Sequence, residues 1–175
     1  MNDRKKIYII SGEDFNRLSD DAKNKVSNGL LRRMSILLWG YDEEKLNSCI
    51  NDMVADLAGL KSFYVFVQKG DLQTNTAIMG IAYFRQDENN EKQWYCRDFI
   101  VRAKYRGPQI AKEMIEMAMR ELSVRKASKL FIYVAKDGKS SILAHKKLGF
   151  IPSENQEDID DIRKSDKIVY ECNIT

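Results

Sequence analysis

RDFIVRAKYRGPQIAKEM, residues 97–114, reads as the end of a strand, a short basic loop and the beginning of a helix. β-Branched and aromatic residues fill QWYCRDFIV (93–101), whereas Ile110, Ala111, Met114, Ile115, Ala118 and Leu122 recur at three- and four-residue steps through YRGPQIAKEMIEMAMREL (105–122). Pro108 suits the first turn of that helix. LFIYV (130–134) follows as a short buried strand, so the helix is a crossover and the strands on either side of it are expected to lie parallel. The first turn of a helix carries unpaired N–H groups and the positive end of the helix dipole, and Arg102, Lys104, Arg106 and Lys112 add charge around it. The junction therefore reads as a site for a phosphorylated ligand, or as an ordinary strand-to-helix turn with solvated basic residues.

Upstream, KKIYIIS (5–11) reads as a strand and residues 13–38 as helical, with Phe15, Leu18, Ala22, Val26, Leu30, Met34 and Leu37 on one stripe and Gly29 as the break between two helices. A second amphipathic helix is expected over 42–57, with Asp42 as its N-cap, Glu43 and Glu44 in the first turn and Gly59 as its stop. FYVFV (63–67), AIMGIAYF (77–84) and QWYCRDFIV then follow without helices between them, the pattern of an antiparallel meander. After LFIYV, KSSILAHKKLGF (139–150) predicts a short helix ending at Gly149, and KIVYECNI (167–174) a closing strand. The order predicts one α/β (α+β) domain over residues 1–175, a mixed sheet with helices on both faces.

Composition excludes several classes. With 175 residues, 43% hydrophobic and 31% charged, the chain can enclose one core but hardly two. Its 29 Lys and Arg against 26 Asp and Glu leave +3, too balanced for a dedicated nucleic-acid binder. No apolar run approaches the roughly 20 residues that cross a bilayer, and the opening MNDRKKIYIISGEDF lacks a signal-peptide core, so a cytoplasmic protein without membrane partners is expected. Cys49, Cys96 and Cys172 have no CxxC spacing and read as buried free thiols. With a single histidine, no metal site is expected.

VRAKYRGPQIAKEM together with SSILAHKKLGF resembles the GNAT superfamily of acyl-coenzyme A-dependent N-acyltransferases. The family signature is Arg or Gln, two residues, Gly, one residue, then Gly or Ala. Arg106 and Ala111 match its ends and Gly107 and Ile110 are similar, while Gln109 stands at the central glycine. The resemblance implies a GNAT-like, mostly antiparallel sheet of six to seven strands, acetyl-CoA as co-substrate, and a pyrophosphate held by the turn of Arg106, Gly107, Gln109, Ile110, Ala111 and Lys112. It also implies that the backbone of Ile100 and Val101 binds the pantetheine and the acyl carbonyl. Gln109 keeps its N–H but brings a side chain toward the phosphates, and Pro108 removes one donor.

HKKLGF resembles the family ending Tyr, two residues, Leu, Gly, Phe, with His145 in the tyrosine position. The resemblance implies that His145 lies near the cofactor sulfur, where an imidazolium can protonate the departing thiolate; a structural helical histidine is the other reading. Asp98, which interrupts an apolar strand, is the candidate general base, with a water chain or a simple ion-paired carboxylate as alternatives. Glu154, Glu157, Asp158, Asp160 and Asp161 could attract a cationic acceptor or merely solvate a loop, and Trp39, Tyr41, Tyr64 and Tyr83 could line its pocket or fill the core. The expected function is acetyl transfer from acetyl-CoA to a primary amine of a small molecule or peptide, by direct attack in a ternary complex, with a homodimer left open. Gln109 and His145 motivate an alternative: a non-catalytic module that binds coenzyme A or a protein partner.

Overall fold

A computed structural model describes residues 5–32, 42–69, 78–106, 108–154 and 166–175. The chain is of the mixed α/β class, with a seven-stranded, mostly antiparallel sheet. It forms two compact units: Met1–Arg85 with Asp98–Arg106, and Gln86–Arg97 with Gly107–Thr175.

In the first unit, β2 (Ser62–Lys69) pairs antiparallel with β3 (Ile78–Gln86), as the meander pattern requires, and β1 (Lys5–Ser11) pairs antiparallel with β2. Cross-strand aromatic pairs set the register: Tyr8 stacks on Phe66 at 5.1 Å, Phe63 on Phe84 at 4.8 Å and Tyr64 on Tyr83 at 4.7 Å between ring centroids. The register shifts at Val67 and Gln68, which pair with Gly80 and Ile78 and leave Met79 as the extra residue of a bulge.

The helical stretch at 13–38 departs from expectation. The chain breaks at Leu18, whose backbone is extended, separating α1 (Gly12–Arg17) from α2 (Asp20–Lys25), and Gly29 lies inside a π-helical turn, Val26–Leu31, that continues α2. Ser19 accounts for the early break, as the cap of the helix that follows. Ser11 Oγ accepts from Asp14 N and Ser19 Oγ from Ala22 N, so each short helix has its own N-cap, a signal that an apolar stripe does not carry. Met34, Leu37, Trp39 and Tyr41 lie outside the described residues.

The next helix, α3 (Glu43–Ala58), has the expected Asp42 cap, with Oδ1 accepting from Lys45 N at 3.0 Å. It stops where expected, with Gly59 as the C-cap, and Leu60 then takes the left-handed backbone (φ 62°), with Leu60 N bonded to Leu57 O and Lys61 N to Asp56 O. The start of α1 presses on this turn, and a Cβ at Gly12 would stand 2.2 Å from Leu57 O. Phe15, Leu31, Met53, Leu57, Tyr64, Phe66 and Ile81 form the core here.

In the second unit, residues 93–96 of β4 (Gln93–Val101) pair parallel with residues 129–132 of β5 (Lys129–Ala135), as the crossover predicts, and the intervening helix is α4 (Pro108–Val124). Met114, Ala118 and Leu122 make its fully buried stripe. After β5 come α5 (Lys139–Lys147), closed by Gly149 at φ +89°, the two-residue β6 (Ile151–Pro152), and β7 (Lys167–Asn173), antiparallel to both β5 and β6. Tyr95 stacks on Phe131 at 5.3 Å over Val169. Among the three free thiols only Cys96 is buried; Cys49 and Cys172 are half-buried.

Glu171 of β7 ties itself to β5 and to the residue that follows β6. One carboxylate oxygen accepts from Lys129 Nζ and the other from Ser153 Oγ, each at 2.6 Å. The Lys129 bond first, and then the Ser153 bond, hold the Glu171 carboxyl below its ordinary range. The stability it contributes is therefore full above the unfolded carboxyl value of 4.5 and is lost as pH falls through the lower folded value. Glu171→Gln should cost on the order of 1 kcal/mol at pH 7 in urea unfolding, with the difference from wild type shrinking in acid. Gly12→Ala should cost roughly 1–3 kcal/mol in the same assay, because backbone has to move to admit the methyl group.

Candidate functional site

The predicted site residues divide between the two units. Asp98, Ile100, Val101 and Arg106 belong to the first, and Gln109, Ile110, Ala111, Lys112 and His145 to the second; Gly107 lies outside the described residues.

In the first unit β4 ends with Asp98, Ile100 and Val101 all half-buried, and the side chain of Ile100 packs against the core that contains Tyr64 and Tyr83. A 3₁₀ turn, Ala103–Tyr105, then carries the chain to Arg106, which is exposed and brought back to the strand end: its Nε donates to Val101 O at 3.4 Å. Arg102 has a different task from its basic neighbours. Its N–H donates to Met79 O at 2.9 Å and its Nη1 to Ile78 O at 3.4 Å, so it clamps the bulged start of β3. Lys104 and Arg106 remain as exposed cations of the loop, with Lys104 Nζ 4.7 Å from the Tyr105 ring centre.

Tyr64 and Tyr83 are core residues, not pocket lining. Both are buried, and Tyr83 Oη donates to Asp56 Oδ2 at 2.8 Å, the same oxygen that pairs with Arg85 Nε at 3.1 Å. Burial above all, and then Tyr83 and Asp56, push the Tyr64 phenol well above its ordinary range.

In the second unit the start of α4 offers backbone donors. The helix has 17 residues, and N–H groups in its first turn have no intrahelical acceptor. Ile110 buries its side chain in the unit, so its peptide N–H is the part that a ligand can use. Gln109, which replaces the small residue of the signature, is exposed, and its amide Nε2 donates to Glu113 Oε1 at 2.7 Å, one turn further into the helix. That bond draws the amide toward the body of α4, so the residues present fit an anion held by backbone donors. Lys112 is exposed and 3.7 Å from Glu116, a weak surface pair that leaves its charge available.

His145 is buried on α5, 8% exposed, and meets the ring of Phe150 edge-on at 5.7 Å. Its Nδ1 lies 2.7 Å from Ser141 O and 3.3 Å from Ser141 Oγ. A carbonyl oxygen only accepts, so Nδ1 carries hydrogen and, in the neutral ring, Nε2 holds the lone pair. The sequence reading missed Ser141, although a serine four residues before a helical histidine is a visible spacing. Burial lowers the His145 pKa, opposed in part by the Ser141 carbonyl. Glu154 is exposed, and Glu157, Asp158, Asp160 and Asp161 lie outside the described residues. Among the described residues no group of His, Cys, Asp and Glu could hold a metal, and no helix is long and apolar enough to cross a membrane.

Comparison with known proteins places this geometry. The model of the acetyltransferase (GNAT) family matches residues 31–150, a span that includes the β4–α4 junction and ends on Phe150. The chain belongs to the acetyltransferase (GNAT) family. It is thus a member of a family of acyltransferase enzymes, and the fold agrees. A GNAT-family protein of Desulfovibrio desulfuricans aligns over 98% of this chain and 100% of its own at TM-score 0.66 and 14% identity. The spermidine N-acetyltransferase of Vibrio cholerae, solved with CoA and spermine, aligns over 96% and 95% at TM-score 0.61 and 11% identity. The ribosomal-protein-S18-alanine N-acetyltransferase of Escherichia coli aligns over 98% and 95% at TM-score 0.59 and 11% identity. No curated protein matches the chain in sequence.

For this GNAT-family chain the buried histidine has a measurable consequence. Its folded pKa lies below the ordinary 6.5, so between the two values the unfolded chain binds more protons than the folded one. Stability is full above about 6.5 and falls as pH drops below it. Urea unfolding at pH 7.5 and 5.5 should show a loss on acidification that is smaller in His145→Gln; an equal loss would show that His145 does not carry it.

Proposed function

We propose that residues 1–175 act as one acyltransferase domain that moves an acetyl group from acetyl-CoA to a primary amine of a small molecule or peptide, by direct attack in a ternary complex. The observation that carries this reading is the start of α4. There, exposed Arg106 precedes a helix whose first-turn N–H groups have no intrahelical acceptor, and the Gln109 amide is drawn onto Glu113. Family membership supplies the rest of the support, because the matched span includes this turn and His145. The complex of the Vibrio cholerae enzyme with CoA and spermine is in keeping with a CoA thioester donor and an amine acceptor.

In this reading the first-turn donors of Gln109, Ile110 and Ala111, with Gly107, Arg106 and Lys112, hold the pyrophosphate. The backbone of Ile100 and Val101 holds the pantetheine arm and steadies the negative charge that builds on the acyl carbonyl. Acetyl-CoA supplies the activated acetyl thioester. Asp98, or water beside it, takes a proton from the incoming ammonium, which must be neutral to attack. His145 delivers a proton to the sulfur as it leaves.

Thermal unfolding tests the cofactor assignment first. Acetyl-CoA and free CoA, each at about 100 times its Kd, should stabilise the protein by about 2.7 kcal/mol, and ATP should not. Ala111→Asp should abolish the shift by placing a carboxylate among the phosphates; an undiminished shift would remove this turn from the site. Absence of any shift in wild type at millimolar ligand would favour a non-catalytic GNAT-like module that binds a protein partner, a reading motivated by Gln109 and His145.

A further inference from the structure

Gln109 is the second residue of α4, where the family signature has a glycine, and it brings to the first turn a side chain with a carbonyl oxygen of its own. A glutamine at a helix start can fold back and set that oxygen on a free backbone N–H, as it does in a capping box. Pro108 supplies no N–H, so a further donor taken up by the glutamine would leave the turn little to offer an anion. In the structure the side chain is turned the other way. Its Nε2 donates to Glu113 Oε1 at 2.7 Å. Side chains of a helix lean toward its N-terminus, so the half-buried Glu113 reaches back over residue 109 on the same face.

We propose that Glu113 is a positioning residue for coenzyme binding: it holds the Gln109 side chain along the helix, away from the first-turn N–H groups, and so keeps those donors available to the pyrophosphate. The proposal rests on the reading of this turn as the pyrophosphate site, and it involves two residues of one helix. Glu113 acts through Gln109 and not on the ligand. The tether has a sign opposite to that of plain charge. A carboxylate near the start of α4 repels a polyanion, so by charge alone its removal would tighten CoA binding. As a tether, its removal releases Gln109 onto the donors, and CoA binding weakens. The amide form of the same side chain separates the two effects, because it keeps an oxygen for Gln109 Nε2 and loses the charge.

Calorimetric titration of free CoA into wild type and variants tests this, with melting of the unliganded proteins to show that each is folded; alanine, the best helix former, keeps α4 intact. Glu113→Ala should raise the Kd for CoA about tenfold. Glu113→Gln should bind CoA at least as tightly as wild type. In a Gln109→Ala background, where no long side chain is left to restrain, Glu113→Ala should change the Kd by less than about twofold. Unchanged or tighter binding by Glu113→Ala would overturn the tether and leave the pyrophosphate turn in place. A loss that persists undiminished in the Gln109→Ala background would overturn it too, because the effect would not pass through Gln109. If wild type binds no CoA, it is the reading of the turn that fails, and the tether with it.

Discussion

The parallel pairing of residues 93–96 with 129–132 is the constraint on which the organisation of the second unit depends. Parallel neighbours cannot be joined by a hairpin, so the chain leaving β4 must cross over before it can return as β5. The 17-residue helix α4 makes that crossover, and its burial of Met114, Ala118 and Leu122 stabilises it. The consequence for chemistry is geometric. The helix has to begin shortly after β4 ends, so the same short stretch of chain holds the carboxyl end of a strand and the donor-rich amino end of a helix, the setting in which α/β proteins bind phosphorylated ligands.

The loop between them is held at both of its ends. Arg102 fastens its beginning to the bulged start of β3, and Arg106 folds back on Val101 O at the strand end. Two of the four basic residues that charge the junction are therefore also hydrogen-bonded scaffolding within the first unit. Charge at this turn does not amount to four loose cations gathered for an anion.

Sequence pattern was legible where one periodicity ran through an element. β4 matches its reading residue for residue at 93–101, the parallel partner was inferred from the crossover alone, and the Asp42 cap and the Gly149 stop follow from local chemistry. The stretch 13–38 misled because an apolar stripe continues across a break where Ser19 caps a new helix, and hydroxyl-to-backbone bonds leave no mark on hydrophobic spacing. The α3 stop at Gly59 was legible, but the turn that follows it was not. Glycine is the ordinary residue for a left-handed helix end, and Leu60 occupies that conformation instead. Of the candidate site, the residues of the junction and His145 were singled out by a family resemblance, and the jobs of their neighbours were not legible in the sequence. Tyr64 and Tyr83 could be read as pocket or as core, and their burial decides for core.

The two departures from the family signature turn out to be settled by the same physical device. Gln109 bonds to the Glu113 side chain and His145 to the Ser141 carbonyl, each a contact between residues four apart on one helix. In each case a side chain that is larger or chemically different from the family's is tethered by its own helix, needing no adjustment of the sheet. The tethers have different consequences. For Gln109 the bond draws an amide away from where phosphates would be crowded, which preserves what the glycine provides. For His145 the bond makes Nδ1 the donor and, in the neutral ring, leaves the lone pair on Nε2.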